Sequence, residues 1–179
     1  SNVLLVIPDK ELKTEEARAV IPAQVPMEDA IFNISRAAAL VGGIMTGRSE
    51  VLGWATEDRL HQQYRRELAP ELMEAITAAR KAGAKGAAVS GAGPSVLVFG
   101  DGRAAEIKAA IMRVFEARNI RCRIMDLSLD LYGARVITSH ALAPVVRRFG
   151  GSSVSGPQAI RQLAEQVSAF SKKGERQVV

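Results

Sequence analysis

The sequence predicts an α+β fold, an antiparallel sheet with helices packed against it and a short β-loop-α appendage, and three observations carry that expectation. Two apolar runs, Ala87 to Val89 and Val96 to Phe99, flank the turn Ser90-Gly91-Ala92-Gly93-Pro94-Ser95 and read as a hairpin. The helical periodicities do not alternate strictly with strands, which argues against a parallel βαβ sheet. The chain has 179 residues, 47% hydrophobic and 24% charged, enough for one good core plus an appendage.

In chain order, Val3 to Ile7 is an apolar strand stopped by Pro8-Asp9. Thr14 is placed to cap the helix that follows, with Glu15 and Glu16 in its first turn and Pro22 closing it. Met27, Ile31, Ile34, Ala38, Val41 and Met45 recur at helical spacing, which predicts one amphipathic helix over 27–46 ended by Gly47. A further helix over 57–68 is expected to carry Leu60, Tyr64 and Leu68 on one face, and another to run from Pro70 to Gly83. After the hairpin, Ala104 to Arg118 is helical with Ile107, Ile111, Val114 and Phe115 inward, and Arg121 to Ser128 is a strand. Ala134 to Ile137 adds a short strand. Residues 1–137 are expected to form one domain, 138–144 a linker, and 145–179 a separate segment.

Charge is uneven along the chain. Residues 138–179 carry six Lys/Arg against two Asp/Glu, whereas the remainder is nearly neutral within a net charge of +5. The basic residues of that tail are scattered and only Phe149 and Phe170 could stack on bases, so no nucleic-acid partner is expected. The single cysteine, Cys122, excludes an internal disulfide and fits a reducing compartment, the cytoplasm. The longest apolar run, Ala37 to Met45, is too short to span a bilayer, and no membrane partner is expected. Neither terminus carries a targeting signal, and the chain reads as a piece of a longer polypeptide.

Leu12 to Pro22 (LKTEEARAVIP), Asp29 to Ala37 (DAIFNISRA), Glu57 to Leu68 (EDRLHQQYRREL) and the SGAGPS turn stand in the order and spacing found in homoserine kinases. Over residues 1–137 the chain therefore resembles the C-terminal domain of that family, within the GHMP superfamily of small-molecule kinases. The resemblance implies ATP-dependent phosphorylation of L-homoserine in threonine biosynthesis, with ATP and Mg²⁺ bound mainly by an N-terminal half that these residues do not include. The fragment alone is then expected to be inactive. The partners implied are L-homoserine and ATP, and the sequence permits a homodimer. Val145 to Val179, with its RFGGSSV run, resembles the start of an aspartokinase, which implies a phosphate loop of Arg148, Gly150, Gly151 and Ser152. Arg148 stands where that family carries a lysine, and the two cations differ in reach and geometry.

Kinase chemistry asks the protein to hold the acceptor hydroxyl in line with the γ-phosphate and to stabilise charge. A planar guanidinium is the natural bidentate clamp for an amino-acid carboxylate, which selects Arg18 and Arg65. Asp58, His61 and Arg65 share one face if 57–68 is helical, and that face either contacts substrate or is solvated. Arg18 follows Glu15 by three and is either a surface ion pair or a substrate contact; Asn33 and Arg36 either line a cleft or face water. Gly91 and Gly93 can take positive φ, so Ser90, Gly91, Ala92, Gly93 and Ser95 form either an ordinary hairpin turn or, as the resemblance implies, a loop near the nucleotide phosphates. His61 and His140 stand apart from other ligands, and no metal site is expected. A non-catalytic module that binds or senses amino acids is the alternative, since such a domain needs no kinase half to hold a carboxylate.

Overall fold

The computed structural model describes residues 2–100 and 102–128. The expected strand over 134–137, the linker over 138–144 and the segment over 145–179, with Arg148, Gly150, Gly151 and Ser152, lie outside the described residues.

Strand β1 (Asn2–Pro8) runs centrally, and β2 (Gly86–Val89), β3 (Val96–Gly100) and β4 (Cys122–Leu127) complete an antiparallel sheet in the order β2-β3-β1-β4. Alternation sorts the side chains. Leu4 and Val6, beside Val98 and Val96 on β3, point to one face, whereas Val3 and Phe99 point to the other. On the first face lie α5 (Pro70–Lys81) and α6 (Ala104–Glu116), whose Leu72, Ala75, Ala79, Ile107, Ile111 and Phe115 are buried against the sheet. Removing a side chain such as Leu4 or Phe115 from water contributes about 1.5–3 kcal/mol, so this layer dominates the stability of the described fold. On the second face a smaller cluster joins Val3 and Phe99 to Leu52, with Leu40 and Leu97 packed beside them.

The helix boundaries follow from local chemistry. Pro70 opens α5, and Gly83 (φ +101°) closes it, with the Gly83 N–H donating to Arg80 O and the Ala84 N–H to Ala79 O. Asn119 (φ +55°) closes the end of α6 in the same way, Ile120 N–H reaching Phe115 O at 2.9 Å. Helix α1 (Thr14–Ala19) begins one residue earlier than the capping pattern suggests. Lys13 is extended and its carbonyl accepts the Ala17 N–H, so Lys13 is the cap and Thr14 makes no capping bond.

The helix expected over 57–68 is not continuous. Helix α3 (Leu52–Ala55) closes where the Thr56 N–H and Oγ both donate to Leu52 O, at 3.1 and 2.8 Å, and Asp58 Oδ2 then accepts the N–H groups of His61 and Gln62 and starts α4 (Gln62–Arg65). After the break the Asp58 carboxylate takes N–H groups that a continuous helical ladder would use. The segment is fastened to β2 by two bonds, Ala87 N–H to Thr56 Oγ at 3.2 Å and Val89 N–H to Gln62 Oε1 at 2.8 Å. In consequence the buried side of α4 carries Gln62 and Arg65, and Leu60, Tyr64 and Leu68 are only half-buried.

Helix α2 (Met27–Thr46) has the expected length and ends at Gly47 (φ +70°), but its polar face is the one that docks. Asn33 bonds Asp58, Arg36 pairs with Glu57, and Asp29 pairs with Arg59. Arg36 also stacks over Phe32 at 3.5 Å, and Arg59 lies over the same ring at 4.0 Å. The apolar stripe points outward, with Met27 75% and Met45 81% exposed.

The hairpin turn requires left-handed backbone at Gly91 (φ +64°) and Gly93 (φ +89°). A Cβ on Gly93 would meet Leu12, Val89 and Leu72 at 3.3–3.5 Å, whereas around Gly91 there is open space. Gly93→Val should therefore destabilise the protein by about 1–3 kcal/mol, and Ala92→Ser by much less, as read from urea unfolding. Equal midpoints for the two variants would rule out a left-handed requirement at position 93.

Candidate functional site

The loop Ser90–Ser95 is closed by the Ser90 N–H to Ser95 O at 2.8 Å and the Gly93 N–H to Ser90 O at 3.2 Å. The N–H groups of Gly91 and Ala92 have no backbone partner among the described residues, so the loop retains donors for an acceptor. Its carbonyl side is fixed from below by Arg65.

Arg65 is 6% exposed, a guanidinium enclosed by three separate segments. Nε donates to Ala17 O of α1 at 2.9 Å, and Nη1 donates to Gly91 O at 3.0 Å and lies 2.9 Å from His61 Nδ1. Two of its three nitrogens are thus committed to the protein; Nη2 has no partner among the described residues. A full bidentate clamp by Arg65, the expectation from residue type, is narrowed to this one nitrogen. Arg18 is exposed and close enough to Arg65 to act on its charge, and its fork is not engaged with Glu15 among the described residues. Burial lowers the pKa of Arg65, attraction to Asp58 opposes that, and Arg18 adds to the lowering.

Behind His61 stands Asp58, 7% exposed at its side chain. Its Oδ2 accepts the backbone N–H groups of His61 at 2.8 Å and Gln62 at 2.6 Å, and its Oδ1 accepts Asn33 Nδ2 at 2.6 Å and lies 3.5 Å from His61 Nε2. Burial alone would raise the carboxyl pKa, but the donors from Gln62, His61 and Asn33 outweigh it and hold the group below the usual aspartate value. For His61, burial lowers the pKa, the Asp58 carboxylate raises it and Arg65 lowers it, with a net depression that favours the neutral ring.

Of the residues singled out by the sequence, the structure brings Asn33, His61, Arg65 and Gly91 into one continuous line of hydrogen bonds through Asp58, with Arg18 at its margin. Asp58, His61 and Arg65 do not lie along a single helix face; the turn over 56–61 brings them together instead. Sequence reasoning missed the anchoring roles of the Ala17 carbonyl and of Gln62. The available signal was an aspartate three and four residues before His61 and Gln62, the spacing of a helix-start acceptor. Open concavities on the surface, one beside Asp9, Arg121 and Cys122 and one beside Arg66, Glu74 and Lys81, include none of these residues. Among the described residues no cluster of three His, Cys, Asp or Glu could hold a metal, and no helix is long and apolar enough to cross a membrane.

The four-stranded antiparallel sheet carries two helices on one face and a glycine loop beside the buried Arg65, and residues 36–117 match the family described as GHMP kinases C terminal. The particular kinases it is similar to are homoserine kinases. The chain is 40% identical over 134 residues to homoserine kinase of Moorella thermoacetica, covering 75% of this chain and 45% of that protein. It is 42% identical over 132 residues to homoserine kinase of Trichormus variabilis, covering 73% and 44%. A crystal structure of homoserine kinase from Cytophaga hutchinsonii superposes with a TM-score of 0.67 at 26% identity, over 72% of this chain and 41% of that one. The chain thus spans less than half the length of the curated relatives it matches.

Arg65→Ala should destabilise the chain by at least about 3 kcal/mol, because several buried acceptors lose their donor, whereas exposed Arg66→Ala should stay within about 0.5 kcal/mol. Urea denaturation separates the two, and equal losses would contradict the face assigned to Arg65.

Stability should also fall in acid, in two stages. The unfolded chain protonates His61 near 6.5, above the depressed folded value, so this contribution is complete above 6.5 and is lost as pH drops through that value toward the folded pKa. Asp58 adds a loss of the same sign below 3.8. Melting temperatures of wild type and His61→Gln across this range check it: the variant should lack the first stage, and an identical profile would contradict a neutral buried His61.

Proposed function

We propose that the chain is the substrate-binding C-terminal part of a homoserine kinase, which transfers the γ-phosphoryl group of ATP to the side-chain hydroxyl of L-homoserine as a step of threonine biosynthesis. The single observation that supports this most is the placement of Arg65 between α1 and the glycine loop, beside Arg18, in a domain whose relatives are homoserine kinases. Arg18 supplies an open guanidinium fork for the α-carboxylate, and Arg65 adds Nη2 from the buried side. Two cations against one carboxylate fix its end of the substrate, which leaves the hydroxyl as the movable end to be aligned. Neutral His61 adds no third positive charge there, and its polar edge is already occupied by Arg65 and Asp58.

ATP fits the described residues only at one margin, the free N–H groups of Gly91 and Ala92, which can meet phosphate oxygens. ATP supplies the phosphoryl group; Mg²⁺ has no carboxylate cluster among the described residues, and its ligands belong to the N-terminal half on this reading. Residues 145–179, read as an aspartokinase-like start from the sequence of Val145 to Val179 with its RFGGSSV run, would join a second phosphotransferase of amino-acid metabolism to the first. The single cysteine and the substrates fit a cytoplasmic protein on this reading, and the same reading allows a homodimer.

The 179-residue chain alone should give no O-phosphohomoserine with ATP, Mg²⁺ and L-homoserine. A chimera in which residues 1–137 replace the matching C-terminal part of the Moorella thermoacetica enzyme should restore turnover. A folded chimera that hydrolyses or binds ATP yet leaves homoserine unphosphorylated would exclude this substrate, and turnover by the chain alone would exclude the division of labour.

A further inference from the structure

We propose that Asp58 is a positioning residue, which fixes the tautomer and orientation of His61 and thereby the direction in which Arg65 presents Nη2. The proposal rests on the reading that Arg65 faces the substrate carboxylate, but its test does not.

Arg65 Nη1 carries only donors, so the His61 Nδ1 that lies 2.9 Å away must offer a lone pair. The proton of the neutral ring is then on Nε2, the nitrogen that faces Asp58 Oδ1 at 3.5 Å. The charged groups that bear on this ring are Asp58, Arg65 and, beyond it, Arg18. Asp58 itself is held in place by three hydrogen bonds, from two backbone N–H groups and Asn33, with the imidazole 3.5 Å from Oδ1. If the ring carried its proton on Nδ1, two donors would meet at the Nη1 contact, and Nη1 would be driven off Gly91 O. Orientation thus passes from a buried carboxylate to the guanidinium and from there to the glycine loop.

A purely structural cap would not care which acceptor residue fills position 58, since Asn caps a helix as well as Asp does. The proposal does care. In Asp58→Asn, an amide oxygen that keeps the two backbone N–H groups turns its NH₂ toward His61 Nε2 and toward the Asn33 amide, which must rotate to offer its oxygen and give up the Arg59 N–H. That NH₂ demands a lone pair from Nε2 and sends the ring proton to Nδ1, against Arg65.

The experiment is ¹⁵N NMR of the 179-residue chain, labelled at histidine and arginine, between about pH 5 and 8. In wild type the neutral His61 should be the Nε2–H tautomer, and the Arg65 Nε–H, bonded to Ala17 O, should exchange slowly with water. Asp58→Asn should move the ring toward the Nδ1–H tautomer, lower its apparent pKa because an attracting charge is gone, and speed Arg65 Nε–H exchange by about tenfold. Wild-type His61 found as Nδ1–H, or an unchanged tautomer and unchanged Arg65 exchange in the variant, would overturn the proposal. Should Asp58→Asn not fold, Asp58→Ser, a cap without the second oxygen, must show the same drop in His61 pKa and the same faster exchange, and their absence overturns it equally. A folded chimera that binds ATP but leaves homoserine unphosphorylated would sink the substrate reading and leave these spectra as they are.

Discussion

A guanidinium taken out of water must find acceptors in its own plane, and the arrangement around Arg65 answers that demand. Burying an ion costs several kcal/mol unless its donors are met, and here those of Nε and Nη1 are met by a carbonyl from α1, a histidine from the turn before α4 and a carbonyl from the glycine loop. None of those three acceptors is near another in sequence. Their convergence ties the entry segment of the domain to its hairpin. Lysine could not take the place of Arg65: its single nitrogen cannot span Ala17 O and Gly91 O from one rigid plane.

The same demand for partners explains why α2 turns its charged side inward. Asp58 is held by Asn33, Glu57 by Arg36, and Arg59 by Asp29, so three consecutive residues of the turn, 57–59, find their complements on one helix face. Phe32 gives both arginines an aromatic surface to stack upon. Such pairs are individually weak where exposed, but a carboxylate with 7% of its side chain exposed and four contacts is fixed in a way a solvated one is not. The polar contacts thus fix the shape of the turn.

The strands, the long helix, α5, α6 and the glycine loop were all legible in the sequence, because each depends on patterns within a few residues: alternation, a 3.6-residue period, Pro at a start and Gly or Asn at an end. The break at 56–61 was not, since the pattern LHQQYRREL suits a helix and only Asp58, by accepting the His61 and Gln62 N–H groups, diverts it. Nor could periodicity tell which face of α2 is buried. It groups Met27, Ile31 and Ile34 together, yet the choice of face is made by Asp58 and Glu57, about two dozen residues away. In the site, residue types selected Asn33, His61 and Arg65, but their linkage through Asp58 is tertiary and the type of residue alone does not reveal it.

The two side-chain bonds that fasten the turn to β2 have a consequence for how the sheet meets other chains. β2 is the outermost strand on its side, and an outermost strand ordinarily leaves a row of free amides that invites another strand to add. Here the outward amides of Ala87 and Val89 already end on Thr56 and Gln62, and Arg80 occupies the Ala87 carbonyl. A foreign strand would have to break those bonds before it could make its own. The sheet is thus sealed against templated growth along this border, by three polar side chains rather than by an additional strand.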